Sequence, residues 1–152
     1  MAIFNHIIVP TDFSETSQHA LDIAIEIARE SGGELTVMHT TEVPVYAYSD
    51  MAYAPVDLLS PIAKVAEERL RALVESVRQR HPGARGVLKV GVPWEQIMAS
   101  VAEVQADLIV MGTHGRRGVA HALLGSVAEK VVRVSQVPVL TVRTALPASP
   151  TS

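Results

Sequence analysis

The chain has 152 residues, the length of one ordinary domain. Its 13 basic and 16 acidic residues give a formal net charge of -3, without the basic footprint of a general nucleic-acid binder. Cysteine is absent, which excludes disulfides, thiolate catalysis, iron–sulfur clusters and cysteine zinc sites together.

In chain order, the apolar run His6–Pro10 ends in a proline and a polar turn and predicts a buried strand. Ser14 is placed to cap a helix from Glu15 to about Ser31, with Ala20, Ile23, Ala24, Ile27 and Ala28 as its inner stripe. Gly32-Gly33 ends that helix, and Glu34–Thr40 predicts a second strand. Residues 41–58 carry all 3 tyrosines and no clean period, the longest irregular stretch of the chain. Ile62, Ala66, Leu70, Leu73 and Val77 then mark an amphipathic helix from about Ser60 to Arg80, with Pro61 in its first turn. Val87–Val92 predicts a third strand, and Pro93 opens a helix whose inner face is Ile97, Val101 and Val104. Asp107–Met111 predicts a fourth strand, followed by a glycine-punctuated loop. A helix from Ser126 presents Val127, Val131 and Val134, and Pro138–Val142 predicts a fifth strand with proline at its first position. Residues 145–152 read as a disordered tail, leaving 1–144 as the domain.

The N-terminal segment lacks a basic leader, and no run approaches the ~20 apolar residues that cross a bilayer. A cytoplasmic protein without membrane or nucleic-acid partners is expected. Aliphatic strands alternating with helices imply an α/β protein, a parallel sheet covered on both faces and doubly wound. Such sheets bind ligands beyond the carboxyl ends of their strands, where the winding reverses.

Attention therefore falls on Pro10-Thr11-Asp12 after the first strand, His39-Thr40-Thr41 after the second, and the loop after the fourth. Four of the 9 glycines lie within residues 112–125. Gly112 and Gly115 can adopt positive φ and leave room for a ligand. Gly125-Ser126 opens a helix whose amides and dipole favour an anion. The loop has no lysine, so it is not a GxxxxGK[ST] phosphate loop, and its spacing is not GxGxxG.

The run Gly112-x2-Gly115-x9-Gly125-Ser126 resembles the ATP-binding signature of the universal stress protein family. HIIVPTDFS (His6–Ser14), VMH (Val37–His39) and PVLTV (Pro138–Val142) are similar to that family as well, so that the resemblance covers residues 3–143. It implies a five-stranded sheet in the order 3-2-1-4-5, of the adenine nucleotide alpha hydrolase type, and a homodimer through the fifth strand. It also implies that Asp12 lies beside the ribose and phosphates and helps hold a divalent metal such as Mg²⁺, with Pro10 and Thr11 on the same wall. The backbone around Thr40 would meet the adenine, near Met111 and Gly112, while Gly115, Gly125, Ser126 and Val127 would wrap the triphosphate. Thr40 departs from the family, where an aliphatic residue is common.

Other residues keep two readings. His39 serves equally as a core histidine or a site residue, and His114 as a phosphate donor or a solvated side chain. Arg116 and Arg117 suit phosphates but also a solvated loop, while Tyr46, Tyr48 and Tyr53 could cover a nucleotide, pack across a dimer or only anchor their loop. His19 and His121 have no companion at metal-ligand spacing. The expected function is ATP binding in stress signalling with slow or no hydrolysis. A hydrolase or transferase on the same fold, and a dimeric interaction protein, are the alternatives.

Overall fold

Alternating apolar positions decide how the chain layers. In the computed structural model, which describes residues 3–42, 59–114 and 124–143, each expected strand and helix forms. The elements are β1 (His6–Pro10), α1 (Glu15–Ser31), β2 (Glu34–Thr41), α2 (Leu59–Arg78), β3 (Arg85–Val90), α3 (Pro93–Val104), β4 (Leu108–Gly112), α4 (Ser126–Val134) and β5 (Val139–Val142). All strand pairs are parallel, in the order β3-β2-β1-β4-β5. The irregular segment beyond Glu42, with Tyr46, Tyr48 and Tyr53, and the tail lie outside the described residues.

Successive strand residues point to opposite faces, and both faces are covered. Ile7 and Val9 of β1, Leu35 and Val37 of β2, and Leu108 and Val110 of β4 pack with Ala20, Leu21, Ala24 and Ile25 of α1 and Leu70 and Val74 of α2. Their neighbours Ile8, Met38, Ile109 and Met111 pack with Ile97 of α3 and Ala128 and Val131 of α4. Each fully buried aliphatic side chain contributes roughly 1.5–3 kcal/mol over its exposed state.

α1 begins where expected: the Ser14 hydroxyl accepts the Ser17 N–H, and Gly32 ends the helix in the left-handed region at φ 71°. Its inner stripe is rotated from the expected one. Leu21 and Ile25 are buried beside Ala20, Ala24 and Ala28, whereas Ile23 and Ile27 are half-buried. In α2, Val74 is buried and Ile62 is 45% exposed. α2 stops at Arg78, two residues early, because Arg80 and His81 both donate to the Val77 carbonyl and close a turn. β3 runs over Arg85–Val90 rather than Val87–Val92; it is a sheet edge, so its first two residues are exposed and carry no apolar signal. Val142 is buried at the end of β5, and Pro138 precedes the strand, its carbonyl accepting the Ile109 N–H.

Candidate functional site

The carboxyl ends of β1, β2 and β4, with the first turns of α2 and α4, enclose a cleft of about 1110 Å³. Pro10, Thr11, Asp12, Thr40, Met111, Gly112, Gly125, Ser126 and Val127 all border it. Gly115, Arg116 and Arg117 lie outside the described residues.

The β1–α1 turn forms one wall. The Thr11 N–H donates to the Met38 carbonyl at 2.8 Å, continuing the sheet past its last strand residue. The Thr11 hydroxyl is committed inward: it accepts the Phe13 N–H at 3.0 Å and bonds the Ser17 hydroxyl at 3.1 Å. Asp12 Oδ1 accepts the Ser14 N–H at 3.0 Å, an Asx turn at the helix entry. Phe13 carries φ 65°, a conformation that disfavours side chains and persists only where surroundings enforce it. Here they do. The Phe13 ring packs on His39 at 4.6 Å between centroids, and the Arg69 guanidinium lies 4.3 Å from the Phe13 centroid. His39 Nδ1 sits 2.7 Å from the Thr11 carbonyl oxygen, so Nδ1 donates.

The opposite wall is β4 and α4. Gly112 does not use positive φ, contrary to expectation. Its lack of a side chain instead admits α1: a β carbon there would lie 2.6 Å from Thr16 Cγ2. The Thr113 N–H extends the ladder to the Val142 carbonyl, and the Thr113 carbonyl accepts the Gly125 N–H. Gly125, in extended conformation, is the N-cap of α4, and no side chain caps that turn. The amides of Ser126, Val127 and Ala128 therefore lack carbonyl partners within the helix, and Ser126 is exposed at the first helical position.

Beyond the expected residues, the cleft is bordered by Phe13, His39, Thr41, Glu42 and the α2 residues Pro61, Ile62, Val65, Ala66 and Arg69. Val65, like Ile62, is largely exposed although apolar, at 57%. The sequence assigned Ile62 to the buried stripe; its position one turn before Ala66, at the carboxyl end of the sheet, was the available signal. The charged described residues on the cleft are Asp12, Glu42 and Arg69. Among the described residues no group of three or more histidine, cysteine or acidic side chains could hold a metal, and no helix is long and apolar enough to cross a membrane.

The model of the universal stress protein family matches residues 4–143. The chain is similar to universal stress protein YxiE of Bacillus subtilis, at 32% identity over 93% of this chain and 100% of the relative. Among solved structures it is similar to a universal stress protein in complex with cAMP, with TM-score 0.70 and 25% identity over 95% of this chain and 100% of the other. The universal stress protein of Archaeoglobus fulgidus in complex with dAMP aligns with TM-score 0.60 and 25% identity, over 93% of this chain and 99% of the other. Strand order, the β4–α4 glycine spacing and a match over nearly the whole length agree: the chain belongs to the universal stress protein family.

Proposed function

We propose that the chain is an ATP-binding module of stress signalling, acting in the cytoplasm through nucleotide occupancy, with slow or no hydrolysis. The observation that carries this reading is the uncapped α4 N-terminus facing Asp12 across a cleft at the point where the sheet's winding reverses. Relatives of the same fold have been solved with cAMP and dAMP, which supports an adenine nucleotide as the ligand class. The phosphates would lie at the Gly125, Ser126 and Val127 amides, with Gly115 on the same side, and the ribose beside Pro10, Thr11 and Asp12. The adenine would lie toward Thr40, Met111 and Gly112.

The described cleft carboxylates, Asp12 and Glu42, do not make a dedicated metal cage, but a single carboxylate suits Mg²⁺, which takes most of its ligands from phosphates and water. Asp12 would supply that carboxylate, and the ion would offset phosphate charge. Fast phosphoryl transfer needs cations and a group orienting the nucleophile. Arg69, held over Phe13, is the one fixed cation among the described cleft residues, so binding is favoured over turnover.

Two copies would pair through β5, an edge strand whose Leu140 is 39% exposed. The folded unit would be residues 1–144.

Heat-denatured protein should release adenine nucleotide detectable by mass spectrometry, and ATP titration should give a saturable heat that Mg²⁺ strengthens. Gly125→Leu should abolish that signal by filling the space over the helix end. Unchanged binding in this variant would refute the assignment of the phosphate site.

A further inference from the structure

We propose that His39, Phe13 and Arg69 act as a positioning stack: they hold the β1–α1 turn from outside, so that the Asp12 carboxylate is set at the cleft before a ligand arrives. This rests on the nucleotide reading above and deepens its metal-holding part.

Two bonds internal to the turn orient Asp12. The Thr11 hydroxyl accepts the Phe13 N–H, and Asp12 Oδ1 accepts the Ser14 N–H. The second of these spans Phe13, so the Phe13 backbone decides whether the carboxylate can close it. That backbone sits at φ 65°, where a β carbon is disfavoured and where glycine would be the ordinary choice. Side-chain bonds of this local kind form in turns of several shapes. They do not by themselves select the strained one, which persists only where its surroundings enforce it.

The selection comes from β2 and α2. Consecutive residues of β2 take both backbone groups of Thr11: the Met38 carbonyl accepts its N–H at 2.8 Å, and His39 Nδ1 donates to its carbonyl at 2.7 Å. On the other side of Asp12, the Phe13 ring lies against His39 at 4.6 Å between centroids, with the Arg69 guanidinium 4.3 Å from the Phe13 centroid. Asp12 thus stands between two neighbours that are each fixed from outside the turn, and it borders the cleft. A group held this way binds without paying to be ordered. The three stack residues border the cleft as well, so direct contact with a ligand is the competing role. The two roles change different quantities. A positioned carboxylate matters to the metal complex, whereas a lost direct contact weakens ATP with or without Mg²⁺.

Calorimetric titration of the full chain with ATP, in Mg²⁺ and in EDTA, separates them as a ratio of dissociation constants. In the wild type Mg²⁺ should tighten ATP roughly fivefold or more. Asp12→Asn keeps the Oδ1 acceptor for Ser14 but removes the charge, and should bring the ratio near unity. Arg69 is exposed, so its variants should fold. Arg69→Met should lower the ratio while the affinity in EDTA stays within about twofold, and Arg69→Lys, which keeps a cation over the ring, should restore it. Arg69→Met added to Asp12→Asn should change nothing further. His39→Leu, which loses the bond to Thr11, should lower the ratio as Arg69→Met does. Phe13→Gly should keep a larger ratio than Phe13→Ala, because both lose the ring and only glycine adopts the turn without strain. In nucleotide-free protein, hydrogen exchange at the Ser14 amide should quicken in Arg69→Met but not in Arg69→Lys, since that N–H closes on Asp12. Equal weakening in Mg²⁺ and EDTA, equal ratios in Phe13→Gly and Phe13→Ala, or unaltered Ser14 exchange overturns the proposal while leaving nucleotide binding intact, as does a wild type indifferent to Mg²⁺. An unaltered ratio in His39→Leu overturns the part assigned to His39. If the Phe13 variants fail to fold, the Arg69 pair decides. Absence of any heat with ATP sinks the nucleotide reading itself.

Discussion

His6 lies at the amino end of the sheet, with Nδ1 3.2 Å from Glu34 Oε2 and Nε2 2.7 Å from the Thr36 hydroxyl. Burial lowers its pKa below 6.5, outweighing the opposing pull of Glu34. The unfolded chain therefore takes up a proton before the folded one as pH falls. The contribution is complete above pH 6.5 and is lost progressively below it, until the folded-state pKa is passed. Unfolding temperatures measured from neutral to mildly acidic pH should decline, and His6→Gln should decline less steeply. Gly112 offers a second test. Gly112→Ala would drive a methyl into Thr16, and overpacking of this kind costs about 1–3 kcal/mol. Adding Thr16→Ser, which removes Cγ2, should recover part of that loss in urea unfolding. The sequence marked Gly112 as special but for a different reason: a motif records that a side chain is missing, not which neighbour required it. The strained Phe13 was illegible in the same way, because its φ is imposed by His39, Arg69 and Thr11 arriving from elsewhere in the fold.

Element boundaries were readable where local chemistry set them. β1 and α1 begin and end at the expected residues because Pro10, Ser14 and Gly32 are local signals. α4 starts at Ser126 as expected, yet its buried stripe is Ala128 and Val131, with Val127 half-buried and Val134 36% exposed. Rotation about a helix axis is decided by the partner surface, which periodicity alone does not contain. The border of α2 on the cleft was hidden for a related reason: Ile62 reads as a packing residue until the fold brings the start of α2 to the cleft. Helix ends also carry a correctable cost. Gln105 closes α3 with φ 56°, and a residue with a β carbon is disfavoured there by roughly 1–2 kcal/mol. Gln105→Gly should stabilise by about 0.5–1 kcal/mol after the unfolded-state entropy of glycine is counted, readable as a higher urea midpoint.

Taken as one body, the domain joins a rigid two-layered core to a cleft built largely from turns. A ligand binding only the folded state at a hundred times its dissociation constant adds about 2.7 kcal/mol of stability, which at this chain length raises the unfolding temperature by roughly 5–10 °C. ATP with Mg²⁺ should produce that shift in the wild type and none in Gly125→Leu. The net charge of -3 is compatible with a phosphate ligand, because attraction at the α4 end would come from local amides rather than from the sum over the surface.

The bond between the Thr113 carbonyl and the Gly125 N–H joins the two ends of the glycine segment directly. The two ends of that span are therefore held together whatever its length. Polymer statistics attach only about 0.6 kcal/mol to each doubling of such a closed span. This link is where the domain can accept foreign sequence. About ten glycine and serine residues inserted between positions 118 and 119 should lower stability by ~1 kcal/mol or less, which makes the site a place to graft a reporter or recognition peptide beside the cleft.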